Sequence, residues 1–201
     1  MKHFNYGIDF LTVGKALQIA KGEIKGTLSA SSIEQVEKSA QAVEDIVSGE
    51  RTVYGINTGF GPLCTTKISA KDTRELQYNI LKSHSVGVGK PIDPTIAQLM
   101  LILKAHSLAQ GFSGIQLSTI ERIIWHIDNQ AIPVVPEQGS VGASGDLAPL
   151  AHLFLPLIGL GEVYFKGERM STERLFQITG LQPVALGPKE GLALINGTQF
   201  I

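Results

Sequence analysis

Residues 139–150 read Gly139-Ser140-Val141-Gly142-Ala143-Ser144-Gly145-Asp146-Leu147-Ala148-Pro149-Leu150. Three glycines fall within the first seven positions, two proline turns at Pro133 and Pro136 come before them, and an apolar run to Leu160 follows. This pattern constrains the fold strongly. Proline restricts the backbone on one side, glycine permits tight turns in the middle, and the apolar run demands a buried helix on the other side. The chain must therefore deliver a tight loop of small residues, Ala143-Ser144-Gly145, to the mouth of a helix.

Around this stretch the periodicity is mainly helical. Residues 4–12 read as a short strand and residues 12–21 as a short helix, with Thr12 at its cap. Ser31 and Glu34 fit a capping box, followed by Ile33, Val36, Ala40, Val43 and Val47 at helical spacing as far as Gly49. A third helix is expected to start between Ser69 and Asp72, to carry Leu76, Ile80 and His84 on one face, and to stop at Gly87 and Gly89. Pro94 suits the first turn of a fourth helix, whose Ile96, Leu99, Met100 and Leu103 leave it apolar nearly all round and imply burial on most sides. Leu117, Ile120, Ile124 and Ile127 mark a fifth. Residues 147–160 continue as a helix kinked at Pro156, residues 162–169 as a hairpin, residues 171–179 as a helix stopped by Gly180, and residues 189–201 as at least partly helical. The reading is mainly α with a little β, in one domain spanning residues 1–201. The chain stops on Phe200-Ile201, two apolar residues, so a fragment of a longer helical protein is expected.

Composition narrows the function. Of 201 residues, 43% are hydrophobic and 17% charged, which describes a globular chain. A formal charge of −1 gives no support for nucleic acid or an anionic membrane as a partner. One cysteine, Cys64, excludes an internal disulfide framework, suits a cytoplasmic location and reads as a small hydrophobe. His3, His84, His106, His126 and His152 lack metal-ligand spacing, so no metal site is expected, and His152 reads as a packing residue.

The chemistry lies in the loop. Attack of the Gly145 nitrogen on the Ala143 carbonyl would close a five-membered ring, for which glycine supplies the backbone freedom and alanine the lack of bulk. Loss of water and of the Ser144 hydroxyl would leave an exocyclic methylene, an electrophile that no ordinary side chain provides. Asp146 would assist proton transfer, cap the following helix, or both. A structural turn fits the same spacing equally well. The stretch lacks the Gly-Lys-Ser/Thr of a P-loop and the G-x-G-x-x-G of a dinucleotide site, so no nucleotide is expected, and it misses the nucleophile elbow by one position.

Three separated motifs bear on that choice. Gly142-Ala143-Ser144-Gly145-Asp146-Leu147-Ala148-Pro149-Leu150-Ala151-His152 resembles the signature of the aromatic amino acid ammonia-lyases. Tyr54-Gly55-Ile56-Asn57-Thr58-Gly59-Phe60-Gly61 resembles that family's tyrosine loop, and Leu194-Ile195-Asn196-Gly197-Thr198-Gln199 its asparagine segment. The resemblance covers nearly the whole chain. It implies the helical N-terminal domain of the ammonia-lyase/fumarase-aspartase-like fold, with a few short β segments. It also implies that Ala143-Ser144-Gly145 matures autocatalytically to 4-methylideneimidazol-5-one (MIO), that Tyr54 removes the substrate β-proton or assists its removal, and that Asn196 binds the prosthetic group or the substrate carboxylate.

Ser83-His84 is similar to the histidine-specific members, since an imidazole can exchange a hydrogen bond with a substrate imidazole and a hydrocarbon cannot. L-histidine is then the expected substrate, with trans-urocanate and ammonia as products and a homotetramer as the working form. Phenylalanine- or tyrosine-specific lyases and aminomutases of the same family are the alternatives; a phosphate-binding or interaction module using the glycine-rich loop is the alternative of another class. Family members are much longer, and their carboxylate-binding arginine, second tyrosine, glutamine and late glutamate have no counterpart here, so the 201 residues alone are expected to be inactive.

Overall fold

The helix at the centre of the molecule is α4, Pro94–Leu108. Asp93 caps it by accepting from the Thr95 N–H at 2.7 Å, and Pro94 opens its first turn. Met100, Leu101, Ile102, Ala105 and Leu108 are buried along it. Each large side chain of this kind contributes about 1.5–3 kcal/mol through burial. α4 packs against α1 (Val13–Ala20), α5 (Leu117–Asp128) and β4 (Ile132–Pro133). α5 lays Ile120, Ile123 and Ile127 into the same core.

The computed structural model describes residues 2–59, 68–140 and 146–200. β1 (Lys2–Asn5) pairs in parallel with β2 (Ile24–Thr27), and α1 makes the crossover between them. α2 (Ala30–Ser48) and α3 (Ala70–His84) follow. β3 (Val88–Pro91) pairs antiparallel with β5 (Pro136–Gln138), Val88 opposite Gln138. β4, β6 (Glu162–Phe165) and β7 (Glu168–Ser171) form a small antiparallel sheet. α7 (Thr172–Thr179) covers this sheet, and Ala131, Val163, Phe165 and Leu175 make a satellite core there. α6 (Leu147–Phe154) and α8 (Glu190–Ile195) complete the set. No helix among the described residues is long and apolar enough to cross a membrane.

Most expected helices form: Thr12 caps α1 as expected, accepting from the Lys15 N–H, and the expected starts at Ser69 and Ser171 are caps that accept from the Asp72 and Arg174 N–H groups. The structure corrects several details. The strand expected over residues 4–12 lies earlier, at β1. The Asp9 carboxylate accepts from the Asn5 N–H at 2.7 Å and turns the chain back. The second helix begins two residues before the expected Ser31 box. Ser29 is its cap, accepting from Ser32, while the Ser32 hydroxyl donates to the Tyr6 carbonyl and fixes that first turn to the end of β1. α3 stops at His84 with Ser85 as its cap, so Gly87 lies in the link and Gly89 in β3. α4 is not buried all round: Ile96 and Leu103 are 46% and 40% exposed. The kink at Pro156 is a full break, in which α6 passes into a 3-10 turn at Leu155–Ile158. Only residues 190–195 of the last segment are helical.

His126, on α5, is fully buried, and its Nδ1 lies 2.7 Å from the Ala131 carbonyl. A carbonyl only accepts, so Nδ1 carries the proton; the buried Nε2 has no partner among the described residues. Burial pushes the ring down to about 4 from its ordinary 6.5. The unfolded ring therefore binds more protons between those values, and folding stability falls as pH drops through that window. The expected loss is on the order of 3 kcal/mol by the linkage relation. His126→Asn keeps a donor to Ala131 but cannot titrate, and urea midpoints measured from pH 7 to 4 should be flatter for this variant than for the wild type.

Candidate functional site

The C-terminal end of α3 presents His84. Its Nδ1 lies 2.9 Å from the Ile80 carbonyl and 3.1 Å from the Ser83 hydroxyl. The Ile80 contact is a hydrogen bond only when Nδ1 carries the proton, because a carbonyl cannot donate. In the neutral ring Nε2 is then an acceptor, held on a half-buried side chain. A group placed this way can accept from an N–H donor.

From His84 the chain passes through Ser85, Val86 and Gly87 into β3. Gly87 touches two other segments. A Cβ there would stand 3.1 Å from the Gln138 carbonyl and 3.2 Å from the His152 ring. Gly139, at φ +150°, lies so close to Gly87 that its own Cβ would be 3.0 Å from the Gly87 Cα. This close approach of two backbones explains both glycines. The link after His84 thus lies against the strand that leads to the predicted electrophile. Ala143, Ser144 and Gly145 themselves lie outside the described residues, as do Cys64 and residues 60–62 of the tyrosine loop.

The flanks of the triad are described. Asp146 is fully buried at the start of α6. It stands at the cap position, but its side chain makes no capping bond to the helix. One carboxyl oxygen instead accepts from the Ser140 hydroxyl at 3.2 Å and the other from the Phe200 N–H at 2.7 Å. The capping part of the sequence expectation is thereby corrected: the carboxyl is taken up by the two flanking segments. Residues 140 and 146, on either side of the triad, are joined by a hydrogen bond.

α8 carries the asparagine segment. It crosses α3 where Gly191 meets Gln77. The Gly191 N–H donates to the Gln77 side chain at 3.0 Å, and a Cβ at Gly191 would lie 2.6 Å from the Gln77 carbonyl. Glu190, also fully buried, accepts from the N–H groups of Gln116 and Gly187 at 2.9 and 2.6 Å. Asn196 is the last cap, with extended backbone and an exposed side chain. Its carbonyl accepts from the Lys104 ammonium at 2.8 Å. Lys104 projects from α4 and is 2% exposed. Burial, with a smaller contribution from Lys189, brings its amine down to about 7.

Tyr54 lies at the head of a turn and is 60% exposed. Asn57 builds that turn: its side chain accepts from the Val53 N–H at 2.8 Å and donates to the carbonyls of Arg51 and Ile46 at 2.8 and 3.3 Å. The Thr58 hydroxyl accepts from Gly55, which sits at φ +73°. The described hydrogen bonds of this turn run to the end of α2 and to Ile68.

α3, which ends at His84, α6, which follows Asp146, and α8, which ends before Asn196, pack on one another. Tyr54 stands on the turn that Asn57 braces. Among the described residues no group of three or more His, Cys, Asp or Glu could hold a metal ion. A family model described as aromatic amino acid lyase matches residues 11–201. The chain belongs to that family.

Within the aromatic amino acid lyases, histidine ammonia-lyase from Shouchella clausii (strain KSM-K16) is 53% identical over 176 residues, covering 88% of this chain and 35% of its own length. The crystal structure of histidine ammonia-lyase from Trypanosoma cruzi aligns with a TM-score of 0.88 at 34% identity, over 100% of this chain and 38% of that one. Tyrosine aminomutase from Streptomyces globisporus aligns at 0.86 and 33%, over 96% and 36%. The chain spans a little over a third of the length of the curated relatives it matches.

Sequence reasoning overlooked Lys104 in this lyase chain. A lone lysine inside the apolar run Leu101-Ile102-Leu103-Lys104-Ala105 was the signal that could have marked it. Asn57 and Thr58 were visible only as part of a motif, and their bracing role appears in the folded turn. Lys104 also yields a test. Its amine titrates near 10.5 when unfolded and about 7 when folded, so the unfolded state binds more protons between these values. Stability should therefore rise with pH across that window, by on the order of 4 kcal/mol. Lys104→Met should remove this rise when denaturant midpoints are compared from pH 7 to 10.

Proposed function

We propose that this chain is the N-terminal, electrophile-bearing part of a histidine ammonia-lyase, which eliminates ammonia from L-histidine to give trans-urocanate. The observation that carries the reading is His84. Its Nδ1 is committed to the Ile80 carbonyl, so its Nε2 is an acceptor for the N–H of a substrate imidazole. The 53% identity to a curated histidine ammonia-lyase supports the same substrate.

The residues that flank the triad suit a cyclised Ala143-Ser144-Gly145. Asp146 is buried and bonded to Ser140 across the triad, which favours a backbone brought close to itself. The N-terminal end of α6, which begins two residues after Gly145, carries the positive end of the helix dipole and favours negative charge developing there. An MIO group formed there would supply an electrophilic methylene carbon that makes the substrate amine a better leaving group.

The remaining work falls to this chain's side chains. Tyr54 Oη takes the β-proton, from a turn that Asn57 braces. His84 holds the imidazole, and Asn196 offers its amide to the ring or to the substrate carboxylate, with Lys104 fixing its backbone. The elimination balances as written: one C–N and one C–H bond break, a C=C bond forms, and the amine leaves with the proton count of ammonia. In this reading the whole enzyme is a cytoplasmic homotetramer whose other segments complete the site.

The test is the substrate. The enzyme containing this chain should release urocanate from L-histidine, followed by its ultraviolet absorbance. Turnover of phenylalanine or tyrosine without histidine would overturn the assignment. Ser144→Ala should lower kcat by roughly a thousandfold or more, the scale expected when an essential catalytic group is removed. His84→Leu should lower kcat/KM for L-histidine roughly 10- to 100-fold, the cost of leaving a ligand polar group unpaired.

A further inference from the structure

His152 read as a packing residue from sequence, and the proposed chemistry does not use it. The structure gives it a specific partner: the Gly87 N–H donates to its Nε2 at 3.0 Å. The ring lies flat enough against Gly87 that a Cβ there would sit 3.2 Å from both Cδ2 and Nε2. Three segments meet at this point. Gly87 lies three residues after His84, on the link that leaves the end of α3. Gln138 and Gly139 lead into the triad, with Val88 paired to Gln138 and Gly139 against Gly87. His152 stands on α6, the helix that leaves the triad.

We propose that His152 is a positioning residue that sets the place of His84 relative to the electrophile, by holding the Gly87 amide from α6. The proposal rests on the reading of His84 as the residue that meets the substrate side chain. The mechanism is geometric. An acceptor at Nε2 pins the link beyond His84 to α6, the helix that Asp146 precedes, so the end of α3 and the start of α6 keep a fixed separation. Because Nε2 accepts, the proton of the neutral ring is on Nδ1. Burial, which lowers the pKa of the ring, favours that neutral form. Gly87 is required by the same contact, since any side chain would push the imidazole away.

The test compares three variants in the assembled enzyme that contains this chain. His152→Leu removes the acceptor. His152→Gln places an amide oxygen close to where Nε2 stood and should rescue. Gly87→Ala displaces the ring from the other side. Two quantities are read for each: the amide exchange rate of the peptide containing Gly87, and KM and kcat for whichever aromatic amino acid the wild type accepts. The proposal expects His152→Leu and Gly87→Ala to speed exchange and to raise KM roughly 5- to 10-fold, the scale of one lost hydrogen bond, with a smaller change in kcat. His152→Gln should stay near wild type in both. Unchanged exchange in His152→Leu would overturn the proposal, as would faster exchange with an unaltered KM. A wild type that ignores L-histidine but accepts another aromatic amino acid would sink the substrate reading alone, because the exchange and KM comparison still decides the role of His152.

Discussion

The carboxyl group of Asp146 is the tie on which the site depends. It is fully buried, and its two oxygens accept from Ser140 on one side of the triad and from the Phe200 N–H beyond the asparagine segment. A buried carboxyl is costly unless its hydrogen-bonding capacity is used, and here the folded chain uses it to join segments far apart in sequence. The same principle governs the ground around it. α8 has only six residues, too few to be stable as an isolated helix. Buried polar groups hold it: Glu190 on the N–H groups of Gln116 and Gly187, Gln77 on Gly191, and Lys104 on the Asn196 carbonyl. Apolar packing around α4 makes the domain; polar bonds around α8 make the site.

This division explains what the sequence reveals and what it hides. The long helices were legible because their stabilisation is local and periodic. Thr12 caps where expected, α3 and α7 start at the expected Ser69 and Ser171, and Gly180 stops α7 in the left-handed conformation. The start of α2 was misread because the deciding bond is not local: Ser32 reaches the Tyr6 carbonyl, across 26 residues. The short strands were mostly illegible, since β2, β3 and β5 owe their existence to partners elsewhere in the chain.

The candidate site divides in the same way. Tyr54, His84, the triad and Asn196 were found as motifs. The bonds that Lys104, His152 and Gln77 make were not legible, because each joins backbone far away in sequence that no local pattern encodes, and the bracing by Asn57 appears only in the folded turn. Lys104 was the most detectable of these, as a lysine where periodicity asks for a hydrophobe. Asp146 was found for its sequence neighbours and then turned out to serve the fold differently, as a link between segments in place of a cap. The chain belongs to the aromatic amino acid lyases and spans a little over a third of the relatives' length.

The central claim is that Ala143-Ser144-Gly145, held between Ser140 and Asp146, becomes an electrophile. The most direct measurement is the mass of a proteolytic peptide containing residues 139–150, taken from the enzyme as it is made in cells. Cyclisation and dehydration remove two waters, a deficit of ~36 Da by the stoichiometry of the modification. That deficit is the predicted result, and it should vanish in Ser144→Ala beyond the mass of the substitution itself. An unmodified mass in a preparation that turns over substrate would contradict the account.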